Sequence, residues 1–144
     1  MNVNYSLDTH AYPPRRAYTD DAGTDLALSQ PVIIPAGRHR LCHTGVHIAV
    51  PKGHVGMVFV RSSTGIKKHL VLSNGTGIID AGYTGEILLS LHNTGRHMQT
   101  IPEGHYIAQL VILPIPEIRL NRVDALDTTQ RGANGIGSTD ASTA

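Results

Sequence analysis

Five short stretches of the 144-residue chain hold side chains able to do chemistry together. The longest is Ser73–Ile87, read SNGTGIIDAGYTGEI, with one carboxylate, Asp80, one ring, Tyr83, and four glycines, Gly75, Gly77, Gly82 and Gly85. Glycine lets backbone approach a bound group or take positive φ, so a carboxylate and a ring in such a frame suit a binding or catalytic corner. An ordinary glycine-rich hairpin with an exposed Asp fits the same letters. Arg61-Ser62-Ser63 offers three phosphate-binding donors in a row after an apolar run, or a solvated strand end. Ala22–Leu26 places Asp25 in a tight turn, where it could serve a ligand or cap its own backbone. Gln109 interrupts the apolar run AQLVILP, and an amide there needs a partner. Arg131–Thr139 combines an arginine, three glycines (Gly132, Gly135, Gly137) and the Ser138-Thr139 pair. That is phosphate-cradle chemistry, although it lacks the lysine and strand-to-helix setting of a Walker loop, and a disordered tail has the same composition.

His39, His43 and His47 recur every four residues. On a helix that spacing would offer a metal face. Here Gly45 sits among them and Val46, Ile48 and Val50 alternate, so the region reads as a strand with the histidines on its polar face, and no acidic ligand accompanies them in sequence. Spacing alone assigns no Ser-His-Asp or Cys-His pair.

These side chains need a frame of strands. The core has no Trp and one Phe, so Val, Ile and Leu must build it, which favours β-structure. Strands are expected at Val3–Leu7, Val32–Ile34, Val46–Val50, Val55–Val60 and Ile107–Leu113, with a short apolar stretch at Leu26–Leu28 and a segment Met98–Ile101 that leads into a turn, all separated by Pro and Gly turns. Ile78–Ile79 and Ile87–Leu89 are expected to pair as a hairpin anchored in the core. One helical turn is expected at 64–69. Strands at roughly ten-residue intervals with turn signals between them argue for one all-β domain, a jelly-roll-like sandwich or barrel. Residues 1–116 form the core of this reading and 117–144 an extended arm. From Pro116 to Arg131 the arm could span roughly 50 Å at about 3.3 Å per residue, enough to cross onto a neighbouring subunit.

Net charge is +1 with His neutral, too small for a field that drives nonspecific nucleic-acid binding. The single Cys42 excludes an internal disulfide framework. MNVNYSLDTH lacks the basic and apolar regions of a signal peptide, and no apolar run is long enough to span a membrane. A cytoplasmic protein without nucleic-acid or membrane partners is expected.

Taken in order, the five stretches resemble the five motifs of the trimeric deoxyuridine triphosphatase (dUTPase) family: AGTDLAL (22–28), VRSSTGIK (60–67), SNGTGIIDAGYTGEI (73–87), EGHYIAQL (103–110) and RGANGIGST (131–139). Each motif alone is weak, but five in order over residues 22–139 are specific. The resemblance implies a jelly-roll homotrimer with an exchanged C-terminal arm. Its three shared sites each take the third motif from one subunit, the first, second and fourth from another, and the arm from the third. It implies hydrolysis of dUTP to dUMP and diphosphate.

In that family Asp80 corresponds to the carboxylate that activates the attacking water, and Tyr83 to the ring that leaves no room for a 2′-hydroxyl. Asn74, Gly77 and Ile79 correspond to the base and sugar wall. Arg61, Ser62, Ser63 and Gln109 fall in the phosphate-side motifs, with Arg61 also pairing with the closed arm. Arg131, Gly137, Ser138 and Thr139 correspond to phosphate ligands on the arm. Asp25 corresponds to a carboxylate that holds Mg²⁺ through water, the ion being carried mainly by the phosphates.

The chain departs from the family at several positions. Ile136 stands where an aromatic usually covers the uracil, Asn134 where Gly is common, and Asp140 follows the Ser-Thr pair. His105-Tyr106 replaces a common Asp-Arg, and Thr84 a common Arg. These changes bear on arm closure and affinity more than on the chemistry. A related dCTP deaminase would need a glutamate where Ser90 stands in LLSLHN. A non-catalytic dUTP-binding or regulatory protein on the same fold is the remaining alternative.

Overall fold

The computed structural model describes residues 1–136. Ten strands and one helix follow in order: β1 (Tyr5–Leu7), β2 (Thr24–Ala27), β3 (Val32–Ile34), β4 (His39–Ile48), β5 (His54–Val60), α1 (Ser62–Lys68), β6 (Leu70–Leu72), β7 (Gly77–Ile79), β8 (Glu86–Asn93), β9 (Gln99–Ile101) and β10 (Tyr106–Pro114). Two four-stranded antiparallel sheets, ordered β1-β4-β8-β6 and β2-β10-β5-β7, form a jelly-roll-like sandwich, and β3 pairs with β9 beside them. Among the described residues no helix is long and apolar enough to cross a membrane.

The alternation that made these segments strands also builds the core. In β8, Ile87, Leu89, Leu91 and Asn93 point inward while Leu88 is exposed, as the two-residue period of a strand requires. Ile87, Leu89 and Leu91 meet Leu26, Leu28, Val46, Val58, Leu70, Ile107 and Leu110 in one buried cluster.

The structure departs from the sequence reading in three places. First, β4 starts at His39 rather than Val46 and contains a bulge. Between the pairs His43↔Leu88 and His47↔Glu86, β4 carries Thr44, Gly45 and Val46 against the single Ile87. Gly45 takes φ +63°, and a Cβ there would run into the Ala11 side chain, so only glycine fits. The Thr44 hydroxyl donates to Ile87 O at 2.7 Å, which satisfies backbone that the bulge unpairs.

Second, Ser73–Ile87 is not one hairpin. Its outer flanks, β6 and β8, do pair, with Leu72 opposite Leu91. The chain between them leaves that sheet, joins β5 of the other as β7, and returns through Asp80–Gly85. Ile79 packs on the core, but Ile78 is 55% exposed rather than an anchor. Apolar letters mark strands without naming their partners. Gly77 settles the partner here, because its bare Cα allows close approach to Val58.

Third, α1 begins two residues earlier than the expected turn, at Ser62, and ends on His69 in the left-handed region (φ 53°). Its buried Thr64 donates to Ile107 O at 2.8 Å, which fastens the helix to β10. After Pro114 every described residue is exposed, and the segment forms no strand.

Candidate active site

The central strand β10 brings together residues of the first, second and fourth stretches. It pairs with β2 on one edge and β5 on the other, so Gln109 lies between Asp25 and Phe59. The Gln109 side chain folds across Gly23, where any Cβ would collide with its amide oxygen. At the end of β5, the Arg61 N–H donates to Ile107 O at 3.0 Å and its Nη1 to Tyr106 O at 3.1 Å. Its Nε lies 3.1 Å from Asp25 Oδ1, and both side chains are largely shielded from solvent. Asp25 is itself held by paired backbone hydrogen bonds with Arg15. Asp21, Gly23, Asp25, Arg61, Ser62 and Gln109 line a polar cleft of about 240 Å³. Ser63 is exposed on the first turn of α1 and does not line it. Two of the five guanidinium donors of Arg61 are spent on the protein, leaving the others for an anion.

A second cleft, of about 410 Å³, opens between the sheets. Asn74, Gly77 and Ile79 line it with Leu41, Leu88 and Ser90. Apolar walls with a few polar groups suit a planar base. The two clefts share no lining residue. Asp80 and Tyr83 line neither and sit on the loop after β7. Asp80 is exposed, and its carbonyl accepts the Tyr83 N–H at 3.1 Å. The Tyr83 hydroxyl donates to Glu86 O at 2.9 Å and its ring lies against Gly85. Arg131 is on the exposed tail, its Nε donating to Asn134 O at 3.3 Å, and Ile136 is fully exposed there. Gly137, Ser138 and Thr139 lie outside the described residues.

Contacts between residues distant in sequence surround this loop. His43 Nδ1 lies 2.9 Å from Glu86 Oε2, and Glu86 Oε1 accepts the Gly45 N–H at 2.8 Å. His47 reaches Thr84 O and Asp8. The histidines of β4 therefore do have acidic neighbours, contrary to the sequence reading. Glu86 and Asp8 lie about forty residues from them in the chain, and no spacing rule could show it. Even so, no group of three or more His, Cys, Asp or Glu among the described residues could hold a metal ion.

Burial pushes the Cys42 thiol up to about 11, so the one cysteine is inert near neutral pH. His105, near Lys68 and Arg61, has its pKa lowered, first by burial and then by those two cations.

The dUTPase family model matches residues 9–140. The deoxyuridine 5'-triphosphate nucleotidohydrolase of Tropheryma whipplei is 40% identical over 128 residues, 88% of each chain. That of Cutibacterium acnes is 41% identical over 130 residues, covering 90% of this chain and 86% of the relative. The structure of the Staphylococcus bacteriophage 80alpha dUTPase with dUpNHpp superposes with a TM-score of 0.87 at 29% identity, over 96% of this chain and 98% of that one. A mutant dUTPase from phage phi11 of S. aureus, described for its coordination of a structural Mg(II) ion, gives 0.81 at 27% identity over 89% and 100%. With motif residues on both clefts and a family match over nearly its whole length, this chain belongs to the dUTPase family.

Proposed function

We propose that this chain hydrolyses dUTP to dUMP and diphosphate by water attack on the α-phosphorus, which limits uracil in DNA and supplies dUMP for thymidylate synthesis. Family membership across residues 9–140 carries this reading.

Asp80, exposed on its loop, takes the proton of the attacking water as general base. Asn74, Gly77 and Ile79 receive the base and sugar in the cleft between the sheets, and Tyr83 occupies the space a 2′-hydroxyl would need. Arg61, Ser62 and Gln109, which line the polar cleft, donate to the phosphates, and Ser63 adds its hydroxyl from the first turn of α1 beside them. Arg131, Gly137, Ser138 and Thr139 close over the phosphates from the arm and exclude water. Ile136 covers the base without stacking, which forfeits roughly 1 kcal/mol or a little more of base–aromatic contact.

The donor set fits a magnesium ion carried by phosphates and water. Asp25 lines the polar cleft with one oxygen taken by Arg61, and among the described residues no clustered protein ligands surround it. Asp25 would hold the ion through water. When bound, magnesium would offset about half of the triphosphate's negative charge.

A nucleotide needs both clefts at once, yet in one protomer they share no residue. This supports a homotrimer whose site takes Asn74–Tyr83 from one subunit, Asp25, Arg61 and Gln109 from a second and the arm from a third. Bare Ile118, Leu120 and Leu126 on the arm also call for a neighbour's surface. The absence of a disulfide framework suits a cytoplasmic enzyme. In the deaminase reading the required acid/base would be at Ser90, whose hydroxyl instead bonds Ser73 at 2.9 Å.

Diphosphate release, measured with dUTP, dCTP, dTTP and UTP in magnesium, tests the reading. Turnover of dUTP alone is expected, falling by about 10²–10⁴ in Asp80→Asn with KM little changed. No diphosphate from dUTP overturns it.

A further inference from the structure

The Asp80–Gly85 loop forms no strand, so it depends on discrete contacts for its shape. Tyr83 supplies two from within, to Asp80 O and Glu86 O. The contact from outside is made by His47 of β4, just past the bulge, whose Nδ1 lies 2.9 Å from Thr84 O. Its other nitrogen, Nε2, lies 3.1 Å from Asp8 Oδ1. A carbonyl and a carboxylate can only accept, so both ring nitrogens must donate. The geometry therefore selects the imidazolium, held between the loop and the segment after β1.

The other titratable groups here agree with that charge. Glu86 lies across the strand pair and is bound to His43 and the Gly45 N–H, while Asp8 faces the ring directly. The His47 pKa is raised, first by the Thr84 carbonyl, with burial opposing, and then by Asp8 and Glu86.

We propose that His47 is a positioning residue for sugar selection: by bracing the Thr84 carbonyl from β4 it fixes the loop from which Tyr83 meets the deoxyribose. This rests on the reading of Tyr83 as the sugar contact. A loop released at Thr84 lets the ring shift, and a ring that shifts no longer excludes a 2′-hydroxyl.

Three substitutions separate the contacts. His47→Ala removes both. His47→Asn places an amide donor where Nδ1 stood and keeps only the Thr84 contact. His47→Gln reaches towards Asp8 and loses Thr84. Amide hydrogen exchange of residues 80–86 reads the brace, and kcat and KM for dUTP and UTP read its consequence. In His47→Ala and His47→Gln, loop exchange is expected to quicken by about tenfold. KM for dUTP rises more than kcat falls, and the preference for dUTP over UTP drops several-fold. His47→Asn is expected to stay within about twofold of the parent on every measure.

Unchanged loop exchange in His47→Gln, a His47→Asn as impaired as His47→Gln, or a loosened loop with dUTP preference intact each overturns the proposal. The Asn and Gln variants carry the comparison if His47→Ala does not fold. If the parent fails to hydrolyse dUTP, the function reading fails by itself, and loop exchange still judges the brace: faster in His47→Gln upholds it, unchanged removes it.

Discussion

His105 sits where the fourth motif departs from its family and carries a consequence of its own. Burial, Lys68 and Arg61 hold its pKa below the ordinary 6.5. A group that binds its proton less well when folded stabilises the fold above its unfolded pKa. That contribution is lost as pH falls from 6.5 through the lowered value, because the unfolded chain then binds more protons. The melting temperature of the parent is therefore expected to fall, relative to His105→Gln, as pH is taken from about 7.5 to about 5. A constant difference across that range would show that neither burial nor those cations lowers the pKa of His105.

At the scale of the element, Asn93 ends β8 and fixes the turn after it. It is fully buried, and its Nδ2 donates to Ile34 O at 2.9 Å and His97 O at 2.8 Å, while its Oδ1 accepts the Gly95 N–H at 3.0 Å. One side chain thus ties β3 and the 93–97 turn to the main sheet. Asn93→Ala leaves those buried groups without partners and is expected to cost about 1–3 kcal/mol. The urea midpoint should drop with an unchanged slope. A midpoint equal to the parent's would mean that water replaces the amide. In sequence Asn93-Thr94-Gly95 reads as a turn, which is right as far as it goes. Burial of the amide shows only when Ile34, far away in the chain, is folded against it.

For the whole molecule, the separation of the two clefts and the bare apolar arm lead to a test of shared sites. On the proposed reading, Asp80→Asn lacks the general base, and a chain cut after Gln130 lacks the arm residues. In the proposed homotrimer, Asp80→Asn is expected to be nearly inactive and the cut chain to fall below the parent, though less steeply. In trimers reassembled from an equal mixture, about a quarter of sites receive Asp80 from one chain and an intact arm from another, so about a quarter of parental activity should return. Sites built within single chains would regain nothing on mixing. Activity of the cut chain at the parental level would remove the arm from the site altogether.

The order and spacing of Asp25, Arg61, Asp80, Gln109 and Arg131 are legible as sequence because such chemistry tolerates few residue types, and strand alternation exposes the all-β class for the same kind of local reason. Pairing is not local. Whether Gly77–Ile79 joins β8 or β5 depends on a close approach to Val58, and whether His47 meets an acid depends on where the N-terminal strand lies. The sequence by itself therefore determined the family, the strands and the chemical groups. Only the tertiary structure decided that Ser73–Ile87 divides between two sheets, that Asp25 pairs with Arg61, and that Asn74, Gly77 and Ile79 line a different cleft from Asp25, Arg61 and Gln109. Register and crossover are set by contacts between residues tens of positions apart, and their energies appear only once the chain has folded back on itself.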